Sequence, residues 1–303
     1  MRISASGRKY IFLVNPISGT AQKSGLQKKL LDAALTFGVP AIVLPTVASG
    51  NYKFVQQKIE EEGYTDVIIC GGDGTVNQVI GSLRKNDVNF GIIPMGSGNG
   101  LAFSAKIPKT FSRAVDLVFT GKGAYTDAFM VNDQFACMLC GVGFDAKVAH
   151  DFANQPSRGL LTYTQQTFKN FLSTGTYHFE MQVDNHLINT ESFFISIANS
   201  NQFGNQFTIA PKASLDDGLL DIVVVPKMSK AILPFALIQQ ISGGALTGTS
   251  KKSKDTIQYF QAAKLQLKNK DLAPLHIDGE PKETAELFNI KVIPKSFRLI
   301  RPQ

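Results

Sequence analysis

Four short apolar runs constrain the first part of this chain more than any other feature: KYIFLVNP from Lys9, PAIVLPT from Pro40, TDVIICGG from Thr65 and NFGIIPMG from Asn89. Each is too short for a core helix and apolar almost throughout, as a strand buried on both faces must be. The segments between them have helical spacing. In QKSGLQKKLLDAALTFG the spacing predicts a helix with Leu26, Leu30, Leu31 and Leu35 on one side. NYKFVQQKIEEEG predicts another, with Phe54, Val55 and Ile59 inward and Gly63 as its stop, and TVNQVIGSLRK a third. Strands alternating with amphipathic helices imply an α/β domain with a Rossmann-like parallel sheet covered on both faces.

The texture changes after about Tyr125. MVNDQFACMLCGVGF, YHFEMQVDNHLIN, ESFFISIANS, GLLDIVVVP, TIQYFQAAKLQLKN and LAPLHIDGE alternate and are divided by turn residues. Two helical segments interrupt them, SRGLLTYTQQTFKNFL and KAILPFALIQQISGGAL. Many strands with few crossover helices predict a mostly antiparallel β-sandwich as the C-terminal domain. The boundaries expected are 1–125 for the α/β domain, completed by 289–303, and 126–288 for the β-rich domain.

Composition narrows the function. At 303 residues and 44% hydrophobic the chain can bury a large core, and 18% charged residues exclude a disordered tail. No apolar stretch approaches the roughly 20 residues of a spanning helix; the nearest, AILPFALIQQI from Ala231, is short and contains Pro234. The apolar patch at the N-terminus runs into Asn15-Pro16 and reads as a first strand, not a signal peptide. Net charge of +7 favours an anionic partner, whether nucleic acid, anionic lipid or polyphosphate. No nucleic-acid-binding signature accompanies it. The longest basic cluster, SKKSK from Ser250, reads as a solvated loop, with a membrane-surface role as the minor alternative. Three cysteines cannot all pair within one chain, which favours a reducing compartment. Cys137 and Cys140 form a C-x-x-C among strand-like residues with no partner pair, so they read as buried strand cysteines.

Three glycine-bearing turns fall at the carboxyl ends of the expected parallel strands, where such sheets place their ligands. They are NPISGT from Asn15, CGGDGT from Cys70 and PMGSGNG from Pro94. Glycine lets a ligand approach the backbone, and a helix starting near Thr75 aims its free N–H groups and positive dipole end at the same rim. Together they predict a phosphate cradle, with hydroxyls from Thr20, Thr75 and Ser97. Asp73 in its midst would repel bare phosphate. It fits if a cation intervenes or if it takes a proton from an attacking hydroxyl, as phosphoryl transfer requires. The alternative is that Asp73 merely caps the helix that follows.

The set NPISG, GGDGTVNQV, PMGSGNGLA, GVGFDA, DDGLLDIVVV and IDGE, in this order over nearly the whole chain, resembles the diacylglycerol kinase catalytic-domain family. That family includes bacterial soluble lipid kinases and sphingosine kinases. The resemblance implies an ATP- and Mg2+-dependent kinase that phosphorylates a lipid hydroxyl, diacylglycerol first among the acceptors. Sphingoid-base or ceramide kinases, a soluble-substrate kinase of NAD kinase type, and a regulator without catalysis are the alternatives. ATP contacts are implied at Asn15, Pro16, Ser18, Gly19, Thr46, Gly71, Gly72, Asp73, Gly74, Thr75, Asn77, Gly96 and Ser97. Glu280 is implied as the general base, with Asp278 two residues before it; in a strand that spacing puts both carboxylates on one face. Asp73 then serves the magnesium–phosphate side, although in sphingosine kinase-like relatives it is the base. A further magnesium site is implied at Asp217 with the carbonyls of Ser214 and Leu219, against the alternative of a plain D-D-G turn. Asp127 matches an acid of the family's carboxylate–water–magnesium network. Gly100 stands where many bacterial diacylglycerol kinases carry an aspartate of that network. The family implies a cytoplasmic protein that meets lipid at an anionic membrane surface, without nucleic acid; a homodimer is left open.

Overall fold

A computed structural model describes residues 7–16, 25–144, 175–184, 186–202, 210–227 and 256–302. Both helices expected in the second part, the SKKSK cluster, Ser18, Gly19 and Thr20 lie outside the described residues. The chain divides into two compact units, Met1–Thr126 with Lys295–Gln303, and Asp127–Pro294.

The first unit holds strands β1 (Tyr10–Val14), β2 (Ala41–Pro45), β3 (Asp66–Gly71) and β4 (Asn89–Pro94). They pair in parallel in the order β2-β1-β3-β4. All six residues of β3 are buried, as a strand covered on both faces requires. Helices α1 (Leu26–Phe37), α2 (Lys53–Glu62), α3 (Asp73–Leu83), α4 (Gly100–Ser104) and α5 (Phe111–Thr120) complete it. Gly38 and Gly63 end α1 and α2 in the left-handed conformation, both with φ of 69°. Two inward faces differ from expectation. In α1 the buried row is Leu26, Leu30 and Ala34, and Leu35 is 79% exposed. Steps of four residues keep one face, and Leu35 lies one position around from it. In α2 Val55 is buried and Phe54 is exposed. The aromatic side chain that goes inward there is Tyr52, just before the helix, and it is fully buried.

Asp66, at the start of β3, is wholly buried and takes a two-pronged ion pair from Arg8, Nε to Oδ2 at 3.0 Å and Nη2 to Oδ1 at 2.5 Å. The Arg8 guanidinium also lies 5.0 Å from the centre of the Tyr10 ring. A buried carboxylate needs such a partner.

The second unit is antiparallel. Its strands are the end of β5 (Lys122–Val131), β6 (Gln134–Ala136), β7 (Leu139–Gly143), β8 (Tyr177–Val183), β9 (His186–Ala198), β10 (Leu220–Pro226), β11 (Gln258–Ala262), β12 (Lys264–Asn269), β13 (Leu275–Ile277), β14 (Glu280–Lys282) and the start of β15 (Leu287–Arg301). β9 does double duty: its first half pairs with β8, its last five residues with β7, and β10 lies along that same last part. The core beneath includes Phe129, Phe179, Ile195, Ile222, Leu267 and Phe288. Cys137 and Cys140 are buried here without a disulfide, and Cys70 is a third buried cysteine, in the first unit. The end of β15 belongs to the first unit, where Arg298 and Leu299 pair in parallel with Asn89 and Phe90 of β4.

Candidate active site

The parallel strands end in turns bound to one another. After β1 the Asn15 amide donates to the Cys70 carbonyl at 3.1 Å, and the Asn15 side-chain amide donates to the Thr75 hydroxyl at 2.8 Å. Thr46, after β2, donates its backbone N–H to the Val14 carbonyl at 3.0 Å. Pro16 is exposed beside Asn15. β3 runs through Gly71 to Gly72, which is extended (φ −98°, ψ −176°) and stands at the N-cap of α3. Asp73 is the first helical residue, and the cap position is Gly72, which has no side chain to cap with. The first bond of α3 runs from Val76 N to the Gly72 carbonyl. The N–H groups of Asp73, Gly74 and Thr75 precede it, at the positive end of the helix. Asn77 lies one turn further along, half-buried.

The third turn is bolted to the second. Met95 N donates to the Gly71 carbonyl at 3.0 Å. A Cβ built on Gly96 would come within 2.5 Å of the Gly72 Cα, and one on Gly72 within 3.0 Å of the Gly96 Cα. A Cβ on Gly71 would strike the Thr75 side chain at 2.8 Å. Gly72 and Gly96 are therefore needed where two backbones touch, and Gly71 where the Thr75 side chain packs. Asn99 closes the turn from behind: its Oδ1 accepts from Gly96 N at 2.9 Å and its Nδ2 donates to the Gly96 carbonyl at 2.6 Å. It does so from a left-handed conformation (φ 55°) that asparagine tolerates. Ser97, between them, is exposed.

In the second unit Asp278 and Glu280 do not share a strand. Asp278 and Gly279, with φ of 51° and 81°, form the two-residue turn of a hairpin between β13 and β14, in which Ile277 pairs with Glu280. Asp-Gly between paired strands is the residue choice such a turn demands. The side chains accordingly part. Glu280 is exposed at the start of β14. Asp278 is buried, and its carboxylate accepts backbone N–H bonds from Cys137, Met138 and Leu139 at 3.0, 2.9 and 3.0 Å and a contact from the Cys137 thiol at 3.2 Å. It holds the bend between β6 and β7.

That bend leads to the remaining acids. Asn199, fully buried, donates its side-chain amide to the Cys137 carbonyl at 3.2 Å and to the Asp127 carbonyl at 2.8 Å. The Asp127 carboxylate, 1% exposed, accepts from Gly218 N at 2.7 Å, and its own N–H donates to the Leu215 carbonyl at 2.7 Å. Within the 214–219 turn, Ser214 Oγ donates to Asp216 and the Asp217 carboxylate accepts from Leu219 N at 3.0 Å. The turn thus collects Asp127, Ser214, Asp217 and Leu219 in one place. Its donors are all oxygens, the kind a hard divalent cation takes. Among the described residues, however, no three Asp, Glu, His or Cys side chains converge to hold a metal. Any cation here would lean on backbone carbonyls.

Two side chains that organise these turns, Asn99 and Asn199, and a third buried polar group, Asp221, were not assigned a role from sequence. Asn99 could have been suspected from its place between glycines. Asn199 carries no signal beyond being polar at the end of an apolar strand. Asp221, in β10, is wholly buried; burial pushes its carboxyl up to about 6, with Tyr259 and Gln261 donating to Oδ1 and no partner for Oδ2 among the described residues.

The chain is thus a parallel α/β unit with touching glycine turns, followed by an antiparallel β unit carrying an exposed hairpin glutamate. The model for the diacylglycerol kinase catalytic domain matches residues 9–131, and that for the YegS C-terminal NAD kinase beta sandwich-like domain matches residues 139–301. The chain belongs to the diacylglycerol kinase catalytic-domain family. The diacylglycerol kinase of Bacillus subtilis is 24% identical over 273 residues, 88% of each chain. An Enterobacter sp. relative named "Probable lipid kinase YegS-like" is 28% identical over 300 residues, 94% of each. The crystal structure of a diacylglycerol kinase from Bacillus anthracis shares the fold, with a TM-score of 0.72 over 97% of both chains at 20% identity. No helix among the described residues is long and apolar enough to cross a membrane.

Proposed function

We propose that this chain transfers the γ-phosphoryl group of ATP to the hydroxyl of a membrane lipid, most simply diacylglycerol. The observation that carries this reading is the contact of Gly72 with Gly96 beside the start of α3. Glycine leaves that contact to backbone, and backbone N–H groups at a helix N-terminus are suited to phosphate oxygens. Asn15 and Thr75, joined at 2.8 Å, hold the neighbouring turn in register. Asp73, on the first turn of α3, would act on the cation side of the triphosphate. Magnesium would supply charge neutralisation on the phosphates, with Asp73 as the carboxylate to hold it, and Asp217 would hold a second, structural magnesium in its own turn. In the reaction the lipid oxygen forms a bond to Pγ, the bond from Pγ to the β,γ-bridging oxygen breaks, and ADP leaves. Glu280 takes the hydroxyl proton. Its exposure on a hairpin suits a base that must meet a substrate from a bilayer, whereas Asp278, committed to three backbone N–H groups, acts as a positioning residue.

A sphingoid-base or ceramide acceptor is the second reading. It is favoured by Gly100, buried at the start of α4, in the position where many bacterial diacylglycerol kinases carry an acid. Labelled-phosphate transfer from ATP onto a mixed lipid extract, with magnesium and with wild type against Glu280→Ala, separates these. A phosphorylated lipid lost in the variant supports the kinase, and its mass names the acceptor. ATP binding without any lipid product would leave a soluble substrate or a silent regulator. Contact with anionic lipid is part of the proposal; co-sedimentation with vesicles that ignores both anionic lipid and salt would remove it.

A further inference from the structure

The turn that carries Ser214, Asp217 and Leu219 is clasped at both ends by one side chain from another strand. Tyr259 lies in β11, opposite Val223 of β10. Its hydroxyl donates to Oδ1 of Asp221, two residues after Leu219. The Lys212 ammonium, two residues before Ser214, lies 5.6 Å from the centre of the Tyr259 ring, within reach of a cation–π contact. The segment 212–221 therefore leaves Tyr259 and returns to it, with the acid and the carbonyls of the turn in between. Gln261, the residue paired with Asp221, donates its side-chain amide to the same Oδ1 at 3.1 Å, so Asp221 is tied to β11 twice. Asp127 of β5 holds the middle of the segment, through the Leu215 carbonyl and Gly218 N, both at 2.7 Å.

Asp221 is wholly buried and Tyr259 half-buried, whereas Asp217 is exposed, so the clasp is anchored in the interior and the acid of the turn faces outward. Such an arrangement suits a backbone that must hold its shape while one side stays open to solvent. A turn that offers carbonyls to magnesium has no long side chains that can swing to correct a misplaced ligand. Magnesium demands near-octahedral geometry at about 2.0–2.1 Å, so the main chain has to be fixed from outside. Groups that orient ligands in this way are worth about 10- to 100-fold in metal affinity.

We infer that Tyr259 and Asp221 are positioning residues for cation binding at the 214–219 turn, holding its two ends so that its oxygens keep one geometry. The inference rests on the magnesium reading of that turn and deepens it. In its test the amide resonances of Gly218 and Leu219 are followed while the full chain is titrated with magnesium chloride, with neither nucleotide nor lipid present. In wild type they should move saturably. Tyr259→Phe keeps the ring beside Lys212 and loses the hydroxyl, and its Kd for magnesium should rise about 10- to 100-fold. Asp221→Ala should do the same. Asp221→Asn keeps an oxygen for Tyr259 to donate to, so its affinity should return toward wild type. If Asp221→Ala does not fold, Tyr259→Phe decides. A pair with only a stabilising role would lower the urea midpoint of Tyr259→Phe and leave its magnesium Kd unchanged, which overturns the inference while the magnesium reading stands. Asp221→Asn as weak as Asp221→Ala would assign the carboxylate to the cation itself and overturn the positioning role. Wild-type resonances that ignore magnesium would remove the magnesium reading and the inference with it.

Discussion

Gly72 and Gly96 meet backbone to backbone, close enough that a methyl on Gly96 would lie 2.5 Å from the Gly72 Cα. The obstacle is main chain, so no side-chain rotation relieves it. Two turns at the ends of adjacent parallel strands are thereby joined without any side chain between them.

Gly96→Ala must push the second turn from the third. A shift of about 1 Å in a positioning element can cost about 100-fold in rate. Kinase activity should fall by that order and ATP affinity with it. Ser97→Ala, at an exposed position in the same turn, should leave stability within about 0.5 kcal/mol. Activity in Gly96→Ala equal to wild type would show that the contact is not needed.

Glu280 and Asp278, two residues apart, should separate cleanly when mutated. Glu280→Gln alters an exposed strand residue, so stability should stay within about 0.5 kcal/mol while activity falls about 100- to 10,000-fold, the usual worth of a general base. Asp278→Ala strands three buried N–H groups and should lower unfolding stability by at least about 2 kcal/mol. Urea midpoints beside rates would decide. A Glu280→Gln enzyme of full activity would move the base elsewhere, with Asp73 the next to test.

The parallel sheet was legible because continuous apolar runs have few other fates, and the glycine turns because a strand end followed by glycines and a helix leaves little choice. The helix faces were less so: Leu31 and Leu35 fit an apolar stripe as well as Ala34 does, yet Ala34 is buried and Leu35 exposed. Spacing fixes which residues share a face but not where the neighbouring layer ends. The hairpin at Asp278-Gly279 was readable from its turn residues, and treating the segment as one strand hid it. Asn199 was not readable at all. Its two carbonyl partners, on Cys137 and Asp127, come from segments more than sixty residues earlier, a relation only the antiparallel packing creates.

Asp221 should write a pH dependence on stability. Its carboxyl is raised to about 6, first by burial and then by the charge of Asp217, against opposing hydrogen bonds from Tyr259 and Gln261 and the charge of Lys212. The unfolded chain releases this proton near an ordinary pKa of about 3.9. Between those values the folded state holds more protons, so this group's contribution to stability is fully present below about pH 4 and is lost as pH rises to about 6. Asp221→Asn removes the charge, so the variant should gain on wild type across that window. Urea midpoints in magnesium-free buffer would show it; a constant difference at all pH values would mean that the carboxyl titrates normally.

The bond from Asn15 to Thr75 couples the first turn to the second, and a double-mutant cycle can measure what it contributes. Thr75→Val keeps the shape that packs against Gly71 while removing the hydroxyl that accepts from Asn15 at 2.8 Å. Asn15→Ala removes the donor. Each should cost about 1 kcal/mol in stability, and the pair less than their sum if the bond is what both destroy. The effect on nucleotide should exceed the effect on fold, because Asn15 positions the turn beside the first N–H groups of α3. KM for ATP should rise in both variants and by no more in the double. Thr75→Ser, which restores the hydroxyl, should return it toward wild type. Strict additivity in KM would mean that the two turns act on ATP separately and that their hydrogen bond is incidental to binding.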